Sequence, residues 1–66
     1  MENYKLSQNG QSVQRLSDTA FIPFDPANTD YATFKAQILA GEAELQDAEG
    51  VLMSAEQAQD YVKGLP

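Results

Sequence analysis

Carboxylates are the side chains whose types and spacing come closest to a chemical site in this sequence. Asp25 with Asp30, and Glu42 with Glu44, are near enough along the chain to be candidates for acid–base work. Such work needs a pocket that shifts the pKa of one member of the pair, and a chain of 66 residues has little depth for one. The sequence contains no His and no Cys, which excludes serine–histidine and cysteine–histidine hydrolysis. We therefore predict that the protein is not an enzyme.

The same acids offer oxygen ligands for a metal ion. The segment Asp47-Ala48-Glu49-Gly50 is faintly similar to part of a calcium loop, but its glycine comes too early for an EF-hand. Asp25, Asn28 and Asp30 could surround an ion, yet a turn followed by helix capping explains all three. No glycine is followed by Lys in the pattern of a phosphate-binding loop. The sequence therefore predicts no metal site and no cofactor.

Charge limits the classes of partner. Ten acidic residues against four basic ones give a net charge of −6, which disfavours attraction to nucleic-acid phosphates. Eight of the ten acids lie between Asp25 and Asp60. We interpret them as a solvated face that keeps a small domain in solution, with imitation of nucleic acid toward a basic partner as the alternative. We expect no direct binding of nucleic acid and, without a signal-like or membrane-spanning apolar run, no membrane.

Alternating residues in the first third of the chain predict short strands. Tyr4-Lys5-Leu6 and Val13-Gln14-Arg15-Leu16 alternate apolar and polar residues, with Asn9-Gly10 as a turn signal between them. A third apolar run, Ala20-Phe21-Ile22, ends at Pro23, which supplies no backbone donor and suits an edge or a strand end. Together these segments predict a small antiparallel meander.

The middle of the chain predicts an amphipathic helix from Asp30 to Ala40. Pro26 keeps Asp25 out of the helical region, so that Asn28 or Thr29 can act as N-cap. The spacing predicts one apolar stripe on this helix, with Gly41 as the C′ residue. The stripe consists of Ala27, Tyr31, Phe34 and Ile38.

After Gly41 the pattern predicts a short hairpin and a closing helix. Leu45-Gln46 and Val51-Leu52-Met53 flank the turn signal Asp47-Ala48-Glu49-Gly50. Ser54 and Gln57 have the spacing of a capping box. We therefore predict the α+β class: a single small domain over residues 1–66, with a small antiparallel β meander and two short helices packed on it.

With catalysis and metal binding set aside, recognition by the surface remains. Aromatic residues are common interface anchors. Phe21 and Phe24 flank Ile22 where an edge strand ends, and such an edge can accept a partner's strand. The alternative is that both rings pack under the first helix. The predicted partner-binding residues are Phe21, Ile22, Phe24, Tyr4 and Tyr61.

Part of the chain resembles a known group of proteins. The runs that carry the resemblance are Tyr4-Lys5-Leu6, Arg15-Leu16-Ser17-Asp18, Ala20-Phe21-Ile22-Pro23, Asp25-Pro26-Ala27-Asn28 and Asp30-Tyr31. They are similar to a recurring pattern in small proteins encoded among the tail genes of bacteriophages and prophages, some described as tail assembly chaperones or tail fibre assembly proteins. The resemblance covers roughly residues 4 to 41. Beyond Tyr31 the chain departs from that pattern, because it lacks the aromatic pair and the Gly-Asn-Thr-Pro tail and has a further hairpin and helix.

The resemblance implies a non-enzymatic phage or prophage protein that binds another virion or tail protein, as an assembly factor or a minor structural component. It would be found in the cytoplasm of the bacterial host, in the virion, or in both. Two alternatives stay open: a small acidic phage-encoded inhibitor that binds a host protein, and a capsid decoration protein. The sequence also leaves open whether the protein forms a homo-oligomer.

Overall fold

The computed structural model describes residues 2–65 and confirms the α+β class. A four-stranded sheet packs against two helices. Within the described part of the chain, neither helix is long and apolar enough to cross a membrane. In chain order the elements are β1 (Glu2–Leu6), β2 (Ser12–Arg15), β3 (Ala20–Pro23), α1 (Thr29–Leu39), β4 (Ala43–Gln46) and α2 (Ala55–Lys63).

The predicted meander is confirmed, but it is only part of the sheet. The strand order is β3-β2-β1-β4, and the first three strands pair in antiparallel fashion. β4 pairs in parallel with β1, with Leu45 opposite Tyr4. The reason is the connection: α1 leads from β3 to the far edge of the sheet, and a helical crossover lets the next strand run in the same direction as β3 and β1. The sheet is therefore mixed, which the sequence patterns did not predict.

Helix α1 has the predicted caps, and it begins and ends one residue earlier than predicted. The Asn28 side chain accepts a hydrogen bond from the Tyr31 amide at 3.1 Å. Gly41 has a φ of 74°, a left-handed conformation that glycine adopts at no steric cost. The placement of Ala27 on the apolar stripe was wrong. Ala27 is exposed, and its amide donates to Asp25 Oδ1 at 3.0 Å in the turn that precedes the cap.

The predicted second hairpin is present in a short form. Asp47 Oδ1 accepts hydrogen bonds from the amides of Glu49 and Val51, both at 2.9 Å. The returning strand is reduced to a single bridge between Gln46 and Leu52. The predicted capping box then starts α2. The Gln57 amide donates a hydrogen bond to Ser54 Oγ, and the Ser54 amide donates one to Gln57 Oε1, both at 3.2 Å.

The core lies between the helices and one face of the sheet. Alternation along the strands brings four side chains to this face, and α1 and α2 cover them with their own apolar stripes. Phe34 is at the centre: its ring centroid lies 4.9 Å from that of Tyr4 in an edge-on arrangement. The Tyr4 hydroxyl donates to Gln37 Oε1, so its polar end is satisfied. The buried apolar residues are Tyr4, Val13, Ile22, Tyr31, Phe34, Ile38, Leu45, Ala58 and Val62.

The turn between β2 and β3 is held by an ion pair. Arg15 Nε and Nη2 donate to the two carboxylate oxygens of Asp18 at 3.1 and 2.8 Å. These hydrogen bonds, with a further one from the Ala20 amide, lower the pKa of Asp18 to about 2. Thr19 follows with a φ of 58°, which is uncommon for a β-branched residue. The turn therefore combines a well-paired carboxylate with one strained position.

Thr19→Asn should raise the free energy of unfolding by about 0.5 to 1 kcal/mol, because Asn enters the left-handed region more readily than a β-branched residue. Chemical denaturation checks this result. Ser17→Asn is the control, since Ser17 is exposed in the same turn and has no positive φ. A loss of stability in Thr19→Asn would mean that the hydrogen bond from Thr19 Oγ1 to the Asp18 carbonyl, at 2.6 Å, outweighs the backbone strain.

Candidate protein-binding site

The acidic residues that the sequence offered for acid–base or metal chemistry lie on the surface in the described part of the chain. Asp25 Oδ1 accepts a hydrogen bond from the Ala27 amide in a turn. Asp30 Oδ1 lies 3.8 Å from Arg15 Nη1 on the surface. Glu42 and Glu44 are both exposed. Across residues 2–65, no three acidic side chains converge as metal ligands would. All four carboxylates of the candidate pairs are therefore exposed on the surface.

Both helices pack on one face of the sheet and leave the opposite face open. Residues paired across neighbouring strands share a face, so the registers place Phe21, Gln14, Lys5 and Gln46 in one row across the open face. A cleft of about 200 Å³ follows this row and extends to Ala48. Phe21 is 68% exposed, so it offers a large apolar surface beside polar neighbours.

The backbone of β3 is a free sheet edge of limited length. The Phe24 amide donates to the Gln11 carbonyl at 3.1 Å, which makes these two residues a hydrogen-bonded pair of the β2–β3 ladder. Because such pairs alternate in an antiparallel ladder, Phe21 directs its N–H and C=O away from β2. Pro23 has no N–H, and its carbonyl accepts from the Asp25 amide at 2.9 Å. A partner strand would therefore bond mainly at Phe21.

The five predicted partner-binding residues separate into three groups. Phe21 is exposed on the open face. Phe24 and Tyr61 are half-buried at the margin of the core, and the Phe24 ring centroid lies 5.3 Å from that of Tyr31. Tyr4 and Ile22 are 1% and 2% exposed, so we assign both to the core and not to the contact surface. Alternation explains the result, because Ile22 must face opposite to Phe21.

A second cleft lies beyond the end of β3. It has a volume of about 360 Å³ and lies between Pro23, Phe24 and Leu65, close to Gly10 and Gln11 in the β1–β2 loop. Phe21 does not line this cleft, whereas Phe24 does, and the Phe24 ring packs against Tyr31 and Phe34 on the helical side. Phe24 therefore supports the core and leaves one side of its ring to this cleft.

A third depression, which we name the β4 groove, was missed in the sequence. It has a volume of about 260 Å³. Leu52, which lines it, is 55% exposed, and Val51 beside it is 59% exposed. The signal was the apolar run Val51-Leu52-Met53, which we interpreted as a strand when it makes only one bridge. The groove is lined by Ile38, Gly41, Ala43, Glu44, Leu45, Leu52, Met53, Ser54, Ala55 and Ala58.

The tyrosines contribute neutral hydroxyl groups. Desolvation by burial raises the pKa of Tyr4, and it also raises the pKa values of Tyr31 and Tyr61. A phenol is already protonated at neutral pH, so these upward shifts keep all three uncharged. Tyr61 can therefore donate a hydrogen bond at the margin of the core without adding to the negative charge of the surface.

The fold and these surfaces define a small α+β domain with one uncovered sheet face and an apolar groove at the β4 edge. No protein-family model, curated protein sequence or solved structure matches the chain.

Proposed function

We propose that the protein is a non-enzymatic binding domain of a phage or prophage. It contacts another virion or tail protein, as an assembly factor or a minor structural component, in the host cytoplasm or in the particle. The observation that carries the binding role is Phe21, which is 68% exposed on the free edge strand. The resemblance over residues 4 to 41 supports the phage origin and the class of partner.

The contact would combine a backbone pairing with an aromatic anchor. A partner strand beside β3 finds the N–H and C=O of Phe21 pointing outward, while Pro23 ends the available edge. The Phe21 side chain inserts into an apolar pocket of the partner, and full burial of such a side chain stabilises a complex by about 1.5 to 3 kcal/mol. Since the open edge is short, the side chain contributes more to affinity than the backbone.

A second candidate function is an inhibitor that captures a host protein through acidic surface. Within residues 2–65, both salt bridges are made by Arg15, so the acids between Glu42 and Asp60 are available to a basic partner. Such a complex would weaken steeply as salt is added. A contact centred on Phe21 would change little, so salt dependence discriminates between the two functions.

Phe21→Ser should weaken binding to the partner by about 30-fold or more, because a buried aromatic anchor contributes about 2 kcal/mol or more. The measurement is a pull-down from phage-infected cells with the tagged protein as bait, followed by titration of the captured partner. Leu39→Ser is the matched control, since Leu39 is also an exposed apolar residue but lies on α1 and lines none of the clefts. Equal binding by wild type and Phe21→Ser would show that the β3 surface is not the contact.

Mass spectrometry of purified particles separates the roles. Presence of the protein together with a tail partner indicates a structural component, and hundreds of copies on the capsid indicate a decoration protein. Absence from particles, with a tail protein in the pull-down, indicates an assembly factor. A basic host protein that is released by moderate salt would contradict the proposal and favour the inhibitor.

A further inference from the structure

We infer that the β4 groove binds a basic segment of a partner protein that carries a large apolar side chain. This surface lies at the opposite edge of the sheet from β3, and the inference does not depend on the phage origin proposed above.

The size of the groove fits side chains and not a cofactor. Its volume is about 260 Å³, whereas pockets for drug-sized ligands and cofactors are usually roughly 300 to 1,000 Å³. Ile38, Leu45 and Ala58 form its apolar floor, and all three are buried. One or two apolar side chains of a peptide would fill such a space and remove its floor from water.

The rim can adapt to an occupant and extends the apolar surface. Met53 is half-buried and packs against the core, and its unbranched side chain adjusts easily to different shapes. Leu52 is 55% exposed and its backbone makes only one bridge to β4. Val51 is 59% exposed and continues the surface beyond the groove. An extended segment could therefore place one side chain in the groove and a neighbouring one over Leu52 and Val51.

The charge around the groove is negative. Glu44 lines it, and Glu42 and Glu56 adjoin lining residues. All three are exposed, and none makes a salt bridge within residues 2–65. No Lys or Arg is among the lining residues. The rim therefore favours a cationic occupant.

The C-terminus of α1 adds to the negative charge at the groove. The last turn of α1 has no basic residue, whereas α2 ends with Lys63. A helix C-terminus carries partial negative charge that Lys or Arg can complement. The N-terminus of α2 also lies here, but its capping box already occupies the Gln57 amide, and Glu56 faces the positive end of the helix. A Lys or Arg of the occupant would supply the cation that the last turn of α1 lacks.

The test uses a displayed library of random peptides, selected on the immobilised protein, with the selected peptides then titrated into ¹⁵N-labelled protein. We expect sequences that combine Lys or Arg with a large apolar residue, amide shifts at Gly41, Ala43 and Ala55, and weaker binding as salt is added.

Glu44→Lys should weaken binding of the selected peptides by about tenfold through like-charge repulsion. Leu52→Ser should also weaken it, and both variants should fold because both side chains are exposed. Phe21→Ser should leave it unchanged.

Failure to select any peptide, or selection of peptides without excess basic residues, would overturn the inference. So would a variant, Glu44→Lys or Leu52→Ser, that binds the peptides as tightly as wild type. Amide shifts confined to Phe21 and Gln14 would also overturn it, while supporting the open face as the contact. Conversely, equal binding of the captured partner by Phe21→Ser and wild type, together with basic peptides that bind the groove, would contradict the proposed function and leave this inference standing.

Discussion

Phe34→Ala should lower the free energy of unfolding by about 3 to 5 kcal/mol, the range for buried Phe truncations. Phe34 is fully buried. Its ring meets Tyr4 edge-on, with Phe24 and Tyr31 at centroid distances of 6.2 and 6.5 Å. Truncation leaves a cavity among three aromatic rings that hold α1 to the sheet. For a domain of 66 residues the whole stability is roughly 3 to 10 kcal/mol, so the variant should be largely or partly unfolded.

The measurement is urea denaturation followed by circular dichroism. Phe21→Ala is the matched control: it makes the same chemical change at an exposed position and should alter stability by about 0.5 kcal/mol or less. If Phe34→Ala unfolds at the same urea concentration as the wild type, α1 does not pack on the sheet through its predicted apolar stripe.

Leu45→Ala should lower the free energy of unfolding by about 2 to 5 kcal/mol. Leu45 is fully buried on β4, beside Tyr4 in the parallel register. Both helices pack against β4. Shortening this side chain therefore weakens the strand pairing and the attachment of α1 and α2 together.

Leu52→Ala provides the comparison, since Leu52 belongs to the same short hairpin but is 55% exposed. Thermal melting of the two variants should show a large shift for Leu45→Ala and a small one for Leu52→Ala. Equal shifts of the melting temperature would mean that β4 does not pack beneath the helices. Hydrogen exchange at the Tyr4 and Gln46 amides would then identify whether the parallel pairing itself is lost.

Local chemistry in the sequence was sufficient to predict most of the elements. Asn28 and Gly41 fixed the ends of α1 because capping and positive φ depend on only a few neighbouring residues. The capping box of Ser54 and Gln57 predicted the start of α2 for the same reason. Ala27 was misplaced, since the hydrogen bond to Asp25 starts a turn where the apolar spacing alone suggested another helical position.

The parallel pairing of β4 could not be predicted from such signals. The segment Ala43-Glu44-Leu45-Gln46 has one large apolar residue, so its alternation is weak. Its register opposite β1 depends on how α1 lies across the sheet. Propensities of single residues contain no information on a pairing partner so distant in sequence.

The exposure of the predicted partner-binding residues could be predicted only in part, because strand period and burial are different pieces of information. Alternation shows that Phe21 and Ile22 face opposite sides of β3, so both could not belong to one contact surface. It does not show which side is covered. That choice depends on α1 and α2 both packing on the face of Tyr4 and Ile22, which leaves Phe21 exposed.

β1 occupies an interior position in the sheet, and this affects the order of folding. Its hairpin with β2 closes a short loop and can form within microseconds. The other edge of β1 stays unpaired until β4 docks. The pairing of Leu45 with Tyr4 requires closure of a long loop that contains α1, and this closure has a higher entropic cost. Until that step, the chain exposes two unpaired strand edges, at β1 and β3. During synthesis or refolding, concentrated copies should therefore aggregate most readily before β4 has docked.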